Sequence, residues 1–272
     1  MEQKTLSRVN QIGWNQSAYQ AWTNRHGSPK EYAKKLMEKP TDAVSHYLNL
    51  IGTVKGKKIA NFLGSKGNKA VSFALLGADV TVVDISEENR KYAMELAKEA
   101  HVNMKYIVSD ILEVSENEGL ADFDCVILEL GVLHYFVDLL PLFKVVYDSL
   151  KPGGQFILRD YHPIVSKLVH VEGNKMIANG DYFSKEVVEE NVAYSILLPE
   201  EESAALSKVN IRRWTLGEIV TAISNSGLHI NYLDEEAGVK WAFPANSPER
   251  VENNMPGLYT LIALKYKWRD KS

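Results

Sequence analysis

Cysteine is nearly absent. One residue, Cys125, stands in 272, so no internal disulfide can form, and its place in the apolar run CVILEL points to packing rather than chemistry. Long hydrophobic runs are missing as well. None approaches the roughly 18 residues that a membrane span needs, and the opening stretch MEQKTLSRVNQIGWN has no apolar block of the secretory kind. A cytoplasmic protein with no membrane contact is therefore expected. There is no excess of positive charge: 31 Lys and Arg against 35 Asp and Glu give −4, which makes a broad nucleic-acid face unlikely. The seven histidines are scattered without metal-ligand spacing, and no metal is expected. No internal repeat or low-complexity tract occurs. What is present is enough apolar material, 45% of residues, to build a sizeable core.

The most informative stretch runs from Lys57 to Ser86, KKIANFLGSKGNKAVSFALLGADVTVVDIS. Ile59–Leu63 is an apolar run of strand length, punctuated by Gly64 and Gly67. Asn68–Leu76 has helical spacing and stops at Gly77. Val80–Val83 is β-branched at every position, as in a strand covered on both faces, and Asp84 ends it. In an open parallel sheet, ligands bind beyond the carboxyl ends of the strands, where strand order reverses. There the first turn offers backbone N–H groups and a helix N-terminus. An acid at the end of the next strand can accept from both hydroxyls of a ribose, each such bond to a charged group contributing roughly 1.5–3 kcal/mol. This unit suits a ligand that contains a nucleoside.

The remaining chain extends the pattern. An aromatic-rich segment, with Trp14, Tyr19 and Trp22, precedes the first strand; residues 1–40 are expected to fold over the site as a lid. A helix follows Ser28–Pro29, and another is expected from Thr41 as N-cap towards Leu50. Ser86 caps a helix with Ala93, Leu96, Ala97 and Ala100 on one side. Strands are expected at Met104–Val108, Asp122–Leu130 and Gln155–Leu158, with a helix over Asp138–Leu150 and a tight turn at Lys151–Gly154. Strands alternating with helices mean a doubly wound, mostly parallel α/β sheet with helices on both faces. The rhythm breaks between 162 and 213, where Val187–Leu198 and Leu206–Trp214 are expected to pair across an exposed PEEES loop, as an insertion capping the site. Thr215 and Glu218 form a capping box. Strands at Leu228–Leu233 and Leu258–Leu264 close the chain, and the long polar link 234–257 is a candidate site loop.

Taken together, strand–GSKG–helix–Asp84, then Asp110, then FDCVILELGVLHYF, then LKPGG resemble the class I S-adenosylmethionine-dependent methyltransferases, small-molecule type. The resemblance covers residues 40–160 best. It implies one methyltransferase domain over 1–272, a seven-stranded sheet with a C-terminal antiparallel strand, and S-adenosylmethionine as cofactor. Carried over by position, it implies that Asn61, Gly64, Ser65 and Gly67 hold the methionine end, and that Asp84 and Ile85 hold the ribose. Asp110 and Ile111 would face the adenine, with Glu129 and Leu130 beside the methyl group. The family usually has an acid where Asn61 stands and glycines where Leu63 and Ser65 stand. His134 is the first candidate for a general base and His162 the second, because imidazole titrates in the right range. Trp14, Tyr19, Tyr161 and Arg213 are candidate substrate contacts.

The reaction class implied is methyl transfer to an O or N nucleophile of a small molecule. Two alternatives stay open: a module that binds S-adenosylmethionine without turnover, and an NAD-dependent oxidoreductase. The second shares the strand–helix–strand unit, but GSKG is not G-x-G-x-x-G. Oligomeric state is not legible.

Overall fold

The alternating strands and helices assemble, in a computed structural model, into one seven-stranded sheet; residues 2–114 and 118–266 are described. Four helices come first: α1 (Gln3–Trp14), α2 (Ala18–His26), α3 (Pro29–Glu38) and α4 (Ser45–Ile51). The core follows as β1 (Lys58–Phe62), α5 (Asn68–Leu75), β2 (Asp79–Asp84), α6 (Glu87–Glu99), β3 (Lys105–Val108), β4 (Phe123–Glu129), α7 (Leu140–Ser149) and β5 (Leu150–Tyr161). The insertion holds β6 (Val169–Glu172), β7 (Lys175–Ala178), β8 (Val187–Glu190), α8 (Glu200–Ala204) and β9 (Val209–Arg212). The chain then returns through α9 (Leu216–Asn225), β10 (His229–Glu236) and β11 (Leu258–Leu264).

The sheet order is β10-β11-β5-β4-β1-β2-β3, with β11 antiparallel to both of its neighbours and the other pairs parallel. Order reverses between β1 and β4, which opens a crevice at their carboxyl ends. Both faces are covered, as the unbroken apolar runs of β1, β2 and β4 require. On one face Leu142, Phe143 and Val146 of α7 and Ile219 and Ile223 of α9 pack on Val126, Leu128 and Phe156. On the other, Tyr47, Ala70 and Phe73 meet Ile59, Val82 and Ile127. A third cluster joins Trp22, Leu36, Tyr92 and Leu96 to Tyr194, Val209 and Ile211, so the N-terminal helices and the insertion share one core.

Several local expectations change. Thr41 caps no helix; α4 starts at Ser45 because residues 40–44 form a turn closed by Val44 N–H on the Thr41 carbonyl. β8 and β9 do pair antiparallel, but only over four residues each. Between them, Ala193–Leu197 forms a 3-10 turn and PEEES winds into α8, whose three first-turn glutamates suit a helix N-terminus. Lys151–Gly154 turns tightly as expected, but as a bulge inside β5: the register with β4 jumps from Leu150 opposite Phe123 to Gln155 opposite Cys125, with Gly153 at φ 84°. Gly154 is required there, since a Cβ would lie 2.8 Å from the Phe123 carbonyl oxygen.

Candidate active site

The crevice is built around the loop from β1 to α5. Leu63 and Ser65 have φ of 51° and 49°, and Gly67 has 70°. These are the three positions to which the resembling family gives glycine, so the left-handed backbone persists where two of the glycines do not. Gly64 stays glycine for space: a Cβ would fall 2.8 Å from Val82 Cγ1 and 2.9 Å from the Asn61 carbonyl. Ser65 N–H donates to Asp84 Oδ2 at 2.9 Å, and Tyr106 Oη donates to the Ser65 carbonyl at 2.8 Å. Asp84 therefore positions the loop as well as ending β2. Its Oδ1 accepts from Ser86 N–H at 3.0 Å and Asn89 Nδ2 at 3.1 Å. Burial pushes its pKa up against these hydrogen bonds, which pull it down.

A cavity of about 300 Å³ lies over this loop, bordered by Gly64, Ser65, Asp84, Ile85, Asp110, Ile111, Glu129 and Leu130 among the expected residues. Asp110 Oδ1 accepts from Leu112 N–H. Glu129 is held by Lys69 Nζ at 2.8 Å and by the Tyr47 hydroxyl. Asn61 and Gly67 do not border the cavity. Asn61 is buried below the loop with neither amide atom partnered, and the Ser65 hydroxyl is also buried without a partner. Gly67 packs on α6, where its Cβ would meet Ala93 Cβ at 2.8 Å.

The roof comes from sequence far away. Ser7, Asn10 and Trp14 of α1 and Trp22 of α2 border the cavity. Asn10 exchanges two hydrogen bonds with the Asn210 backbone of β9 at 2.9 and 2.7 Å. Gln11 Nε2 reaches the Ile85 carbonyl, and Ser86 Oγ donates to the Trp14 carbonyl. Trp14 stands edge-on to Tyr135 and Tyr194. Lys66 Nζ lies 4.5 Å from the centre of the Trp22 ring.

A second cavity of about 790 Å³ adjoins the first, and Gly131, His134 and Tyr161 border both. Arg213 borders the second, paired with Glu190 at 2.5 Å. Burial, aided by the Arg213 charge, lowers the His134 pKa to about 3, so the ring is neutral. Asp160 Oδ1 accepts from the N–H groups of Gly131 and Tyr161, and burial raises its pKa to about 6.

Two expected site residues lie elsewhere. His162 borders neither cavity: its Nδ1 accepts from Ile164 N–H and its Nε2 meets Glu235 at 2.7 Å, which fixes the start of the insertion. Tyr19 faces α6, its hydroxyl on Glu95 at 2.6 Å and its ring edge-on to Tyr92. Lys66, Lys69, Ser7, Asn10 and Tyr135 border the first cavity without having been singled out. The two lysines flank the glycine loop and could have been marked from that; the α1 residues carried no signal, because their place depends on contacts two hundred residues apart. Among the described residues, no group of His, Cys, Asp and Glu could hold a metal ion, and no helix is long and apolar enough to cross a membrane.

Residues 63–158 match the family model described as a methyltransferase domain. A protein of Geobacillus sp. (strain WCH70), assigned as a methyltransferase, is 29% identical over 157 residues, 55% of this chain. The match spans 62% of that relative, less than two thirds of its length. An S-adenosylmethionine-dependent methyltransferase from Mesorhizobium loti superposes with a TM-score of 0.59 at 22% identity, over 81% of this chain and 96% of that one. The magnesium protoporphyrin IX methyltransferase of Synechocystis PCC 6803, solved with bound SAH, superposes with a TM-score of 0.56 at 14% identity, over 95% and 99%. At these identities the solved structures speak for the fold. The sheet order is that of the class I methyltransferase fold, and residues 63–158 match a methyltransferase domain.

Proposed function

We propose that the first cavity binds S-adenosylmethionine and that the chain transfers its methyl group to an oxygen or nitrogen of a small molecule. The observation that carries this reading is the loop: three left-handed positions in the family's register, tied by Ser65 N–H to the acid at the end of β2. The residues fit the cofactor. The cradle over Gly64 is too tight for a Cβ, and the Ser65 hydroxyl is a buried polar group awaiting a partner. Leu63–Lys66 and the N-terminus of α5 take the methionine end, Asp84 and Ile85 the ribose, Asp110 and Ile111 the adenine. Glu129 and Leu130 would stand on the methyl side.

When bound, the cofactor would supply a methyl carbon made electrophilic by its sulfonium. The chain's own task is alignment and exclusion of water, which can lower a barrier by on the order of 7–11 kcal/mol. Trp14, Tyr135 and the α1 roof exclude water. His134, neutral, accepts a hydrogen bond from the acceptor. Residues 1–40 act as the lid and 162–213 as the cap of a single functional unit.

Isothermal titration of the full chain with S-adenosylhomocysteine and with NADH tests the cofactor. Binding of NADH alone would overturn the reading in favour of an oxidoreductase. Transfer of labelled methyl to a panel of phenols, alcohols, amines and carboxylates separates an enzyme from a binding module.

A further inference from the structure

β5 ends in Arg159-Asp160-Tyr161, and strand alternation sends the first two side chains to opposite faces of the sheet. Arg159 is met by both carboxylate oxygens of Glu236 on β10. Asp160, only 6% exposed, has no such partner. Its carboxylate accepts from backbone N–H groups alone, those of Gly131, Tyr161 and Leu133. These donors are neutral, so they hold the carboxylate without cancelling its charge. The cations around the two cavities are committed elsewhere: Lys69 to Glu129, Arg159 to Glu236, Arg213 to Glu190, and Lys66 to the face of Trp22. A buried charge without a counter-charge is costly, and an uncharged acceptor could serve backbone N–H groups. The charge therefore points to a cation that the protein does not itself supply.

Asp160 borders the second cavity, but two of the residues that donate to it, Gly131 and Tyr161, also border the first. Leu130 and Gly131, at φ 53° and 83°, turn the chain across the end of β4, and Leu130 N–H donates to the Arg159 carbonyl at 2.8 Å. The carboxylate thus lies one peptide group behind the wall of the first cavity, on the side that bears Glu129 and Leu130. S-adenosylmethionine carries a fixed positive charge at sulfur, and its demethylated product is neutral there. The two ligands otherwise match closely. A buried carboxylate separates them by Coulomb attraction, which low-dielectric surroundings preserve.

We propose, resting on the cofactor reading above, that Asp160 is the residue by which the site tells the charged methyl donor from its neutral product. Its carboxylate attracts the sulfonium from behind the Gly131 peptide and loses that hold once the charge is gone. Asp160 is therefore a specificity residue of the first cavity, although it borders only the second. The donor is favoured on entry, and the product is not retained by this charge.

The test is titration calorimetry on the full chain with S-adenosylmethionine and with S-adenosylhomocysteine, no acceptor being added. The quantity read is the ratio of the two affinities, in which losses common to both ligands cancel. At about pH 8, Asp160→Asn is expected to lower the parent's preference for the charged donor by about tenfold. A purely structural role would weaken both ligands alike and leave the ratio where it was. A second measurement needs no variant. Burial raises the Asp160 carboxyl to about 6, so it is ionised at about pH 8 and largely protonated at about pH 5. The parent's own preference is expected to fall between those two values by a similar factor. The groups facing Asp160 are Glu129 of β4, His134, Tyr161, Tyr259 of β11, and Arg213 with Glu190 across the second cavity. Of these, His134 stays neutral over that range. The proposal is overturned if the ratio in Asp160→Asn matches the parent's at about pH 8, or if the parent's ratio is the same at both pH values. Failure of both ligands to bind the parent would overturn the cofactor reading, and this assignment with it.

Discussion

Ser65→Gly should make the ligand-free protein more stable. Ser65 sits at φ 49° between β1 and α5, held there by Asp84 through its N–H and by Tyr106 through its carbonyl. Neither bond uses the side chain, and the hydroxyl is buried and unpartnered. A left-handed backbone costs an L-residue roughly 1–2 kcal/mol that glycine avoids. Glycine's greater freedom in the unfolded chain offsets about 0.5–1 kcal/mol of that. The net gain is about 0.5–1 kcal/mol, before any relief from removing the orphan hydroxyl. For a chain of 272 residues, that raises Tm by about 1–2 °C. Thermal denaturation followed by circular dichroism measures it, with Leu63→Gly as the control. Leu63 has the same strain, φ 51°, but its side chain packs on the core, so glycine there removes contacts and should lower Tm. If Ser65→Gly lowers Tm as Leu63→Gly does, the argument from backbone strain is wrong.

Other expectations follow from the same site. Asp84→Ala should weaken S-adenosylhomocysteine by about 10–100-fold, since hydrogen bonds to a charged group contribute roughly 1.5–3 kcal/mol; unchanged affinity by calorimetry would contradict the ribose assignment. Gly64→Ala should destabilise by about 1–3 kcal/mol, because the new methyl meets Val82 and backbone that cannot retreat; an unmoved urea midpoint would refute the close approach. The stability of the parent should fall as pH drops from 6.5 towards 3, because His134 stays neutral in the folded state while the unfolded histidine takes a proton. In His134→Gln that loss should shrink. Asp160, raised to about 6, contributes an opposite slope over the upper part of that window in parent and variant alike. Parallel stability–pH curves for the two proteins would refute the buried, neutral histidine.

How much of this was legible in the sequence depends on sequence distance. The unit from Lys58 to Asp84 closes within thirty residues, and its strand, turn, helix and strand lie as the pattern indicates. Ser86 and Thr215 cap their helices through bonds only three residues long. The N-terminal roof depends on Asn10 meeting Asn210, and no local pattern encodes that. His162 illustrates the same limit. Its position after β5 suggested the crevice, but Glu235 and the Ile164 N–H capture the ring. In PEEES the charge density that suggests an exposed loop holds for exposure, but acids in a first turn also favour a helix, and the segment is helical.

The placing of β11 between β5 and β10 orders events as the polypeptide emerges. β10 is synthesised first yet touches the sheet only through β11, so it must wait while the intervening segment is made. At 5–20 residues per second the wait lasts roughly 1–4 s. During it the free rim of β5, from Gln155 to Tyr161, offers unpaired backbone to any passing strand. Until then, nascent chains are open to mispairing along the rim that later bears Tyr161, where the two cavities meet.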